Sequence, residues 1–79
     1  MKMYAVFTEN DWDNICEMWL VMARDEEDAK IKAVKEGESR HYSAKYTATK
    51  VVFLREALST DAQAMDYLDV NYLYSWERE

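Results

Sequence analysis

The chain has 79 residues, 16 of them acidic and 10 basic, with 49% hydrophobic and 14% aromatic residues, one Gly, one Cys, one His and no Pro. The apolar share excludes an intrinsically disordered chain, and the single cysteine excludes an internal disulfide or a Cys-rich zinc site. The length predicts one compact α+β domain over residues 1–79, small enough that every large apolar side chain matters.

Residues 4–8 (YAVFT) are β-branched and aromatic and predict a first strand. Residues 9–14 (ENDWDN) are turn-forming, and residues 15–23 (ICEMWLVMA) predict a second strand paired antiparallel with the first. Cys16, Met18, Leu20 and Met22 alternate along one side of it, which makes Cys16 a buried, inert thiol. A helix is expected from Asp25 through Glu36, with Gly37 as the residue just past its end. Its acidic first turn, residues 25–28, suits the helix dipole, and Glu26–Lys30 and Asp28–Lys32 stand at i,i+4. Ala29, Ala33 and Val34 leave a slim face that can lie close on a sheet.

Residues 38–44 read as a polar loop containing a solvated His41, and residues 45–54 (KYTATKVVFL) as a third strand. Thr60 and Gln63 form a capping-box pattern that opens a second helix, with Met65, Leu68 and Tyr72 on its face. Beyond Asp69 two patterns compete: Val70, Tyr72, Tyr74 and Trp76 alternate as a strand, while Leu68, Tyr72 and Trp76 fit a helix. The resulting order is β-β-α-β-α with an optional terminal strand. It predicts an antiparallel sheet of three to four strands with two helices on one face.

Chemistry-bearing constellations are scarce. One glycine cannot supply a phosphate-binding loop. Read as a calcium loop from Asp11, the sequence has Cys16 where glycine is needed and Met22 where glutamate is needed. Cys16 and His41 stand apart, with nothing beside either to complete a metal set or a nucleophilic pair. The expectation is a non-enzyme without metal or cofactor. The longest apolar run, residues 18–23, is far below the ~20 residues of a membrane span, and residues 1–10 lack a signal-peptide core. A soluble, cytoplasmic protein with no membrane partner is expected.

Charge is distributed in blocks. Residues 1–28 hold eight acids and two bases, residues 29–55 seven bases and two acids, and residues 56–79 six acids and one base, for a net −6. A net field of that sign opposes direct binding to nucleic acid. The same carboxylates, set beside aromatic rings, could occupy a basic groove. The segment WLVMARDEEDAKIKA (residues 19–33), after the YAVF strand, resembles short open reading frames of phages and mobile elements. In its small size and strong acidity the chain also resembles the anti-CRISPR and anti-defence inhibitors such elements encode. That resemblance implies a phage-type inhibitor whose partner is a host protein or complex with a basic surface. The candidate contact residues are Glu9, Asp11, Trp12 and Asp13 in the first turn, with Asp66, Asp69 and Tyr72 on the last element. Two alternatives stand beside it. One is a homo-oligomer joined through surplus rings and a third strand left at the sheet edge. The other is a nucleic-acid binder using the basic segment 29–55.

Overall fold

Two nine-residue strands joined by a tight turn make the centre of the fold. In the computed structural model, which describes residues 1–41, 43–64 and 69–78, the elements are β1 (Lys2–Asn10), β2 (Ile15–Ala23), α1 (Glu26–Arg40), β3 (Tyr46–Glu56), α2 (Ser59–Ala64) and β4 (Val70–Glu77). They form a four-stranded sheet in the order β3-β1-β2-β4, with every neighbouring pair antiparallel. The hairpin is the expected one, and β3 does lie at an edge. The competition beyond Asp69 resolves as strand: Tyr72 sits on β4, opposite Trp19 of β2. Met65, Asp66 and Leu68 lie outside the described residues.

The core lies between α1 and one face of the sheet. Tyr4, Val6, Trp19, Val21, Ala23, Tyr46 and Val70 supply the sheet side, and Ala29 and Ala33 supply the helix side. Trp19 is fully buried, and its indole N–H donates to Thr8 Oγ1 at 2.8 Å, so the polar tip of a large ring is satisfied inside the core. Small residues at i and i+4 let the helix approach the sheet closely, as the sequence predicts. Asp25 caps α1 by accepting from Asp28 N at 2.8 Å. Asp28 accepts from Arg24 N at 3.0 Å, which with the nearby Lys32 and Arg24 holds its carboxyl below the ordinary value. The expected Asp28–Lys32 pair forms at 3.6 Å. Among the described residues, no ion pair joins Glu26 to Lys30.

The C-terminal end of α1 departs from expectation. Gly37 does not terminate the helix, which continues to Arg40, and its φ is not positive. Glycine stands there for a packing reason. A Cβ at position 37 would lie 2.5 Å from the Tyr46 ring, so the ring of the first β3 residue occupies the place a side chain would take. The loop expected over residues 38–44 is shortened accordingly.

Both edge strands are irregular. Pairing of β3 with β1 shifts register between Met3 and Tyr4 and again between Phe7 and Thr8. Pairing of β4 with β2 shifts between Met18 and Trp19. Such bulges twist an edge away from a flat, pairable ribbon. After β3, Arg55 grips Asp61 through two bonds of 2.6 and 2.7 Å, and Asp61 also accepts from Leu58 N at 2.6 Å. These contacts hold the Asp61 carboxyl down at about 2 and fix the start of α2.

Replacing a helix-interior glycine by alanine ordinarily stabilises by about 1 kcal/mol. Gly37→Ala is expected to do the reverse, lowering stability by about 2 kcal/mol through overpacking against Tyr46. In urea unfolding, the cost should shrink when Tyr46 is also replaced by Ala; an additive double variant would refute this packing account.

Candidate interaction surface

Because side chains alternate across a strand, the register assigns each residue to a sheet face. The face away from α1 carries Met3, Ala5 and Phe7 on β1 and Cys16, Met18, Leu20 and Met22 on β2. Lys50 and Val52 extend it on β3, and Tyr74 and Trp76 extend it on β4. Its rings form a continuous strip. Phe7 and Trp76 meet edge to face at 5.9 Å, Tyr74 stacks on Trp76 at 6.0 Å, and Lys50 Nζ lies 5.8 Å from the Phe7 ring centre. Met3 and Met22 are buried, Phe7, Met18, Leu20 and Trp76 half-buried, and Tyr74 is 59% exposed.

An antiparallel sheet with one covered face commonly turns apolar residues inward and polar residues to water. Here both faces of the central strands are apolar: Tyr4, Val6, Trp19, Val21 and Ala23 lie under α1, where Thr8, Asn10 and Glu17 are also buried, and the other face is apolar from Met3 to Phe7 and from Cys16 to Met22, with Glu9 at its end.

Asn10 and Glu17 line a cleft of about 300 Å³ near the C-terminal end of α1, together with Asp13, Arg40, His41, Tyr46 and Tyr72. Tyr46 donates its hydroxyl to Glu17 Oε1 at 2.8 Å. Burial, followed by the Glu17 carboxylate, pushes the Tyr46 phenol well above its ordinary value of 10.0. The Arg40 guanidinium sits 5.3 Å from the Trp19 ring centre and binds Glu36 at 3.1 Å. His41 is exposed and stacks against Tyr46 with ring centres 6.3 Å apart. His41 thus lies on the α1 side of the sheet and Cys16 on the other, so the fold does not bring thiol and imidazole together. Cys16 is buried. Among the described residues, no three His, Cys, Asp or Glu side chains converge as a metal site, and no helix is long and apolar enough to cross a membrane.

The residues expected from sequence to form one contact site are dispersed. At the hairpin turn, Asn10 Oδ1 accepts from the backbone N–H groups of Trp12 and Asp13, both at 2.9 Å. Asp13 accepts from Ile15 N at 2.9 Å, and Asp11 accepts from Lys45 N at 2.8 Å, tying the turn to the start of β3. Trp12, between these two carboxylates, is 69% exposed. Glu9 is paired with Arg78 at 3.0 Å. Asp69 lies at the other end of β2, where its backbone oxygen accepts from Met22 N at 2.9 Å and its carboxylate pairs with Lys32 at 3.4 Å. Its φ of 61° is the left-handed conformation that Asp tolerates. Six strand steps of ~3.3 Å separate it from the hairpin turn by roughly 20 Å. Tyr72 is half-exposed, meets Trp19 edge to face at 5.8 Å, and joins Asp13 in the cleft. Asp66 lies outside the described residues.

Phe7 and Met18 are not among the contact residues expected from sequence, and Tyr74 and Trp76 stand out there only by their alternation beyond Asp69. The signal for the apolar face was the alternation of Cys16, Met18, Leu20 and Met22, in antiphase to Glu17. Compared with protein-family models, curated proteins and solved structures, the chain finds no match in any of the three.

Tyr46→Phe removes the donor from a buried carboxylate and should lower stability by about 1–3 kcal/mol in urea unfolding at neutral pH. Because folding raises the phenol's pKa, the stability it contributes is complete below pH 10 and is lost as the pH climbs through the raised value. In an ultraviolet phenolate titration, a step well above pH 10 should be present in the parent chain and absent from Tyr46→Phe.

Proposed function

We propose that this chain is a non-catalytic protein-binding domain whose contact surface is the sheet face opposite α1. The observation that supports this reading is the second apolar face of β1 and β2: beside the core packed under α1, Phe7, Met18 and Leu20 lie on the other side, half-buried beside Trp76. Fully covering a side chain of this size is worth about 1.5–3 kcal/mol relative to leaving it in water. Aromatic anchors framed by near-neutral surroundings are where binding energy concentrates. The bulges on β3 and β4 argue against strand-to-strand addition at either edge, which leaves the face as the better contact.

A second reading is an acidic inhibitor that occupies a basic, nucleic-acid-binding surface of a host complex. The observation in its favour is Trp12, exposed at the hairpin tip between Asp11 and Asp13. The turn presents these three side chains from a backbone held by Asn10 and Lys45, so an anchor there would lose little freedom on binding. Glu9 and Asp69 contribute less to such a surface, since Arg78 and Lys32 already face them.

One experiment separates the two. The full chain, immobilised, is offered a lysate of the source cells, alongside Met18→Glu and a turn variant carrying Trp12→Ala, Asp11→Asn and Asp13→Asn. The face reading expects Met18→Glu to lose the captured proteins at least about tenfold, a change of about 1.4 kcal/mol, while the turn variant keeps them. The opposite pattern supports the turn, and identical capture by all three baits would refute both readings.

A further inference from the structure

We infer that the apolar sheet face is an interface with a second copy of this chain, the two sheets packing face to face about a two-fold axis that runs along the strands. This rests on the reading of the face as a protein contact and names its occupant.

The argument starts from one row of the register. Across β3, β1, β2 and β4, the residues directly opposite one another on this face are Lys50, Phe7, Met18 and Tyr74. A two-fold axis parallel to the strands lays this row over its own reverse. Lys50 of each copy then faces Tyr74 of the other, and Phe7 of each faces Met18 of the other. Both pairings are favourable: an ammonium over a phenol ring, and a thioether against a phenyl ring. The next row, Val52, Ala5, Leu20 and Asn71, sets Ala5 of each copy against Leu20 of its mate, small against large. Isologous contacts require this kind of self-complementarity. The ~30° offset of aligned sheets leaves the central pairs in register and skews the outer ones within reach of long side chains.

Charge points to the same face. Two copies at −6 each repel, and a homodimer must meet where that repulsion is least. On the paired positions of this face the charged side chains are Glu9, bound to Arg78, Lys50, and Arg55, bound to Asp61. The acidic start of α1 stays on the outer side of each sheet, while the axis, running along the strands, brings the two hairpin turns to the same end of the dimer, beyond the apolar rows. Area sets the strength. Seven residues of strand at ~3.3 Å by four strands at ~4.8 Å give at most roughly 450 Å² per copy and roughly 900 Å² for two, to which Met3, Ala5, Cys16 and Met22, already buried in the single copy, add little. That is below the ~1,000 Å² that a stable specific interface clears, so the dimer is a weak, concentration-dependent one.

The test is sedimentation velocity of the full chain from about 5 to about 500 µM. The expected result is a shift from monomer to dimer across that range. Tyr74→Lys, which sets two lysines opposite each other, should weaken the dimer at least about tenfold. Adding Lys50→Tyr to it should restore affinity to within about threefold of the parent, because the swapped pair meets across the axis again. Both positions are exposed, and far-ultraviolet circular dichroism checks that the variants fold; should Tyr74→Lys fail that check, Lys50→Glu takes its place and should also weaken the dimer. A chain that stays monomeric at 500 µM, a Tyr74→Lys form that dimerises like the parent, or a double variant without recovery overturns the inference. A monomer whose lysate capture still depends on Met18 removes the second copy as occupant and leaves the protein-binding reading standing. A monomer whose capture ignores Met18 removes both.

Discussion

β2 turns apolar side chains to both of its faces, and α1 can cover only one of them. Trp19, Val21 and Ala23 go under the helix; Met18, Leu20 and Met22 go to the other side. A strand of this composition ordinarily sits between two layers. The choice of which face to cover is set by polar anchors. Trp19 must place its indole N–H, and Thr8 receives it only on the side where Glu17 and Tyr46 also meet. Shifting β2 by one residue would move this entire set to the uncovered side, so the register is strongly specified.

Tyr46 connects that register to the helix. Its ring lies over Gly37, its hydroxyl reaches Glu17, and its backbone N–H donates to Glu38 at 3.1 Å. One residue at the start of β3 thereby ties together the end of α1, the middle of β2 and an edge strand. A buried carboxylate on a small protein is costly unless it is fully hydrogen-bonded. Its position here, where three elements converge, favours one packing of the helix over neighbouring ones. The same residues make the cleft polar, which leaves the apolar face as the part of the surface with most to gain from being covered.

How much of this was legible in the sequence follows from how local each signal is. The bounds of β2 were readable, because composition, a turn before it and an acidic helix start after it all agree. The end of α1 was not. Gly37 looks like a helix terminator until the ring of Tyr46, nine residues on, takes the space beside it, and no local pattern carries that contact. β4 was ambiguous because Tyr72 and Trp76 satisfy both periods, and pairing with β2 decided the matter. The contact site was the least legible part. Sequence charge says how many carboxylates there are, and only the fold says that Asp11 and Asp13 hold backbone N–H groups while Glu9 and Asp69 face cations.

Those carboxylates are engaged with backbone N–H groups and cations, and this changes what a net charge of −6 means. An acidic surface built for a basic partner would gather unpaired carboxylates on one side. Here Asp11 and Asp13 stand at the hairpin turn, Asp25 and Asp28 at the start of α1, and Glu9 and Asp69 beside cations at the two ends of the sheet. Distributed in this way, negative charge acts chiefly by exclusion. It repels like-charged neighbours from the ends of the molecule and leaves one apolar face on which approach carries little electrostatic penalty. On the proposed reading, the acidity and the aromatic strip belong to one device: the first restricts where contact can occur, and the second supplies the energy once it does.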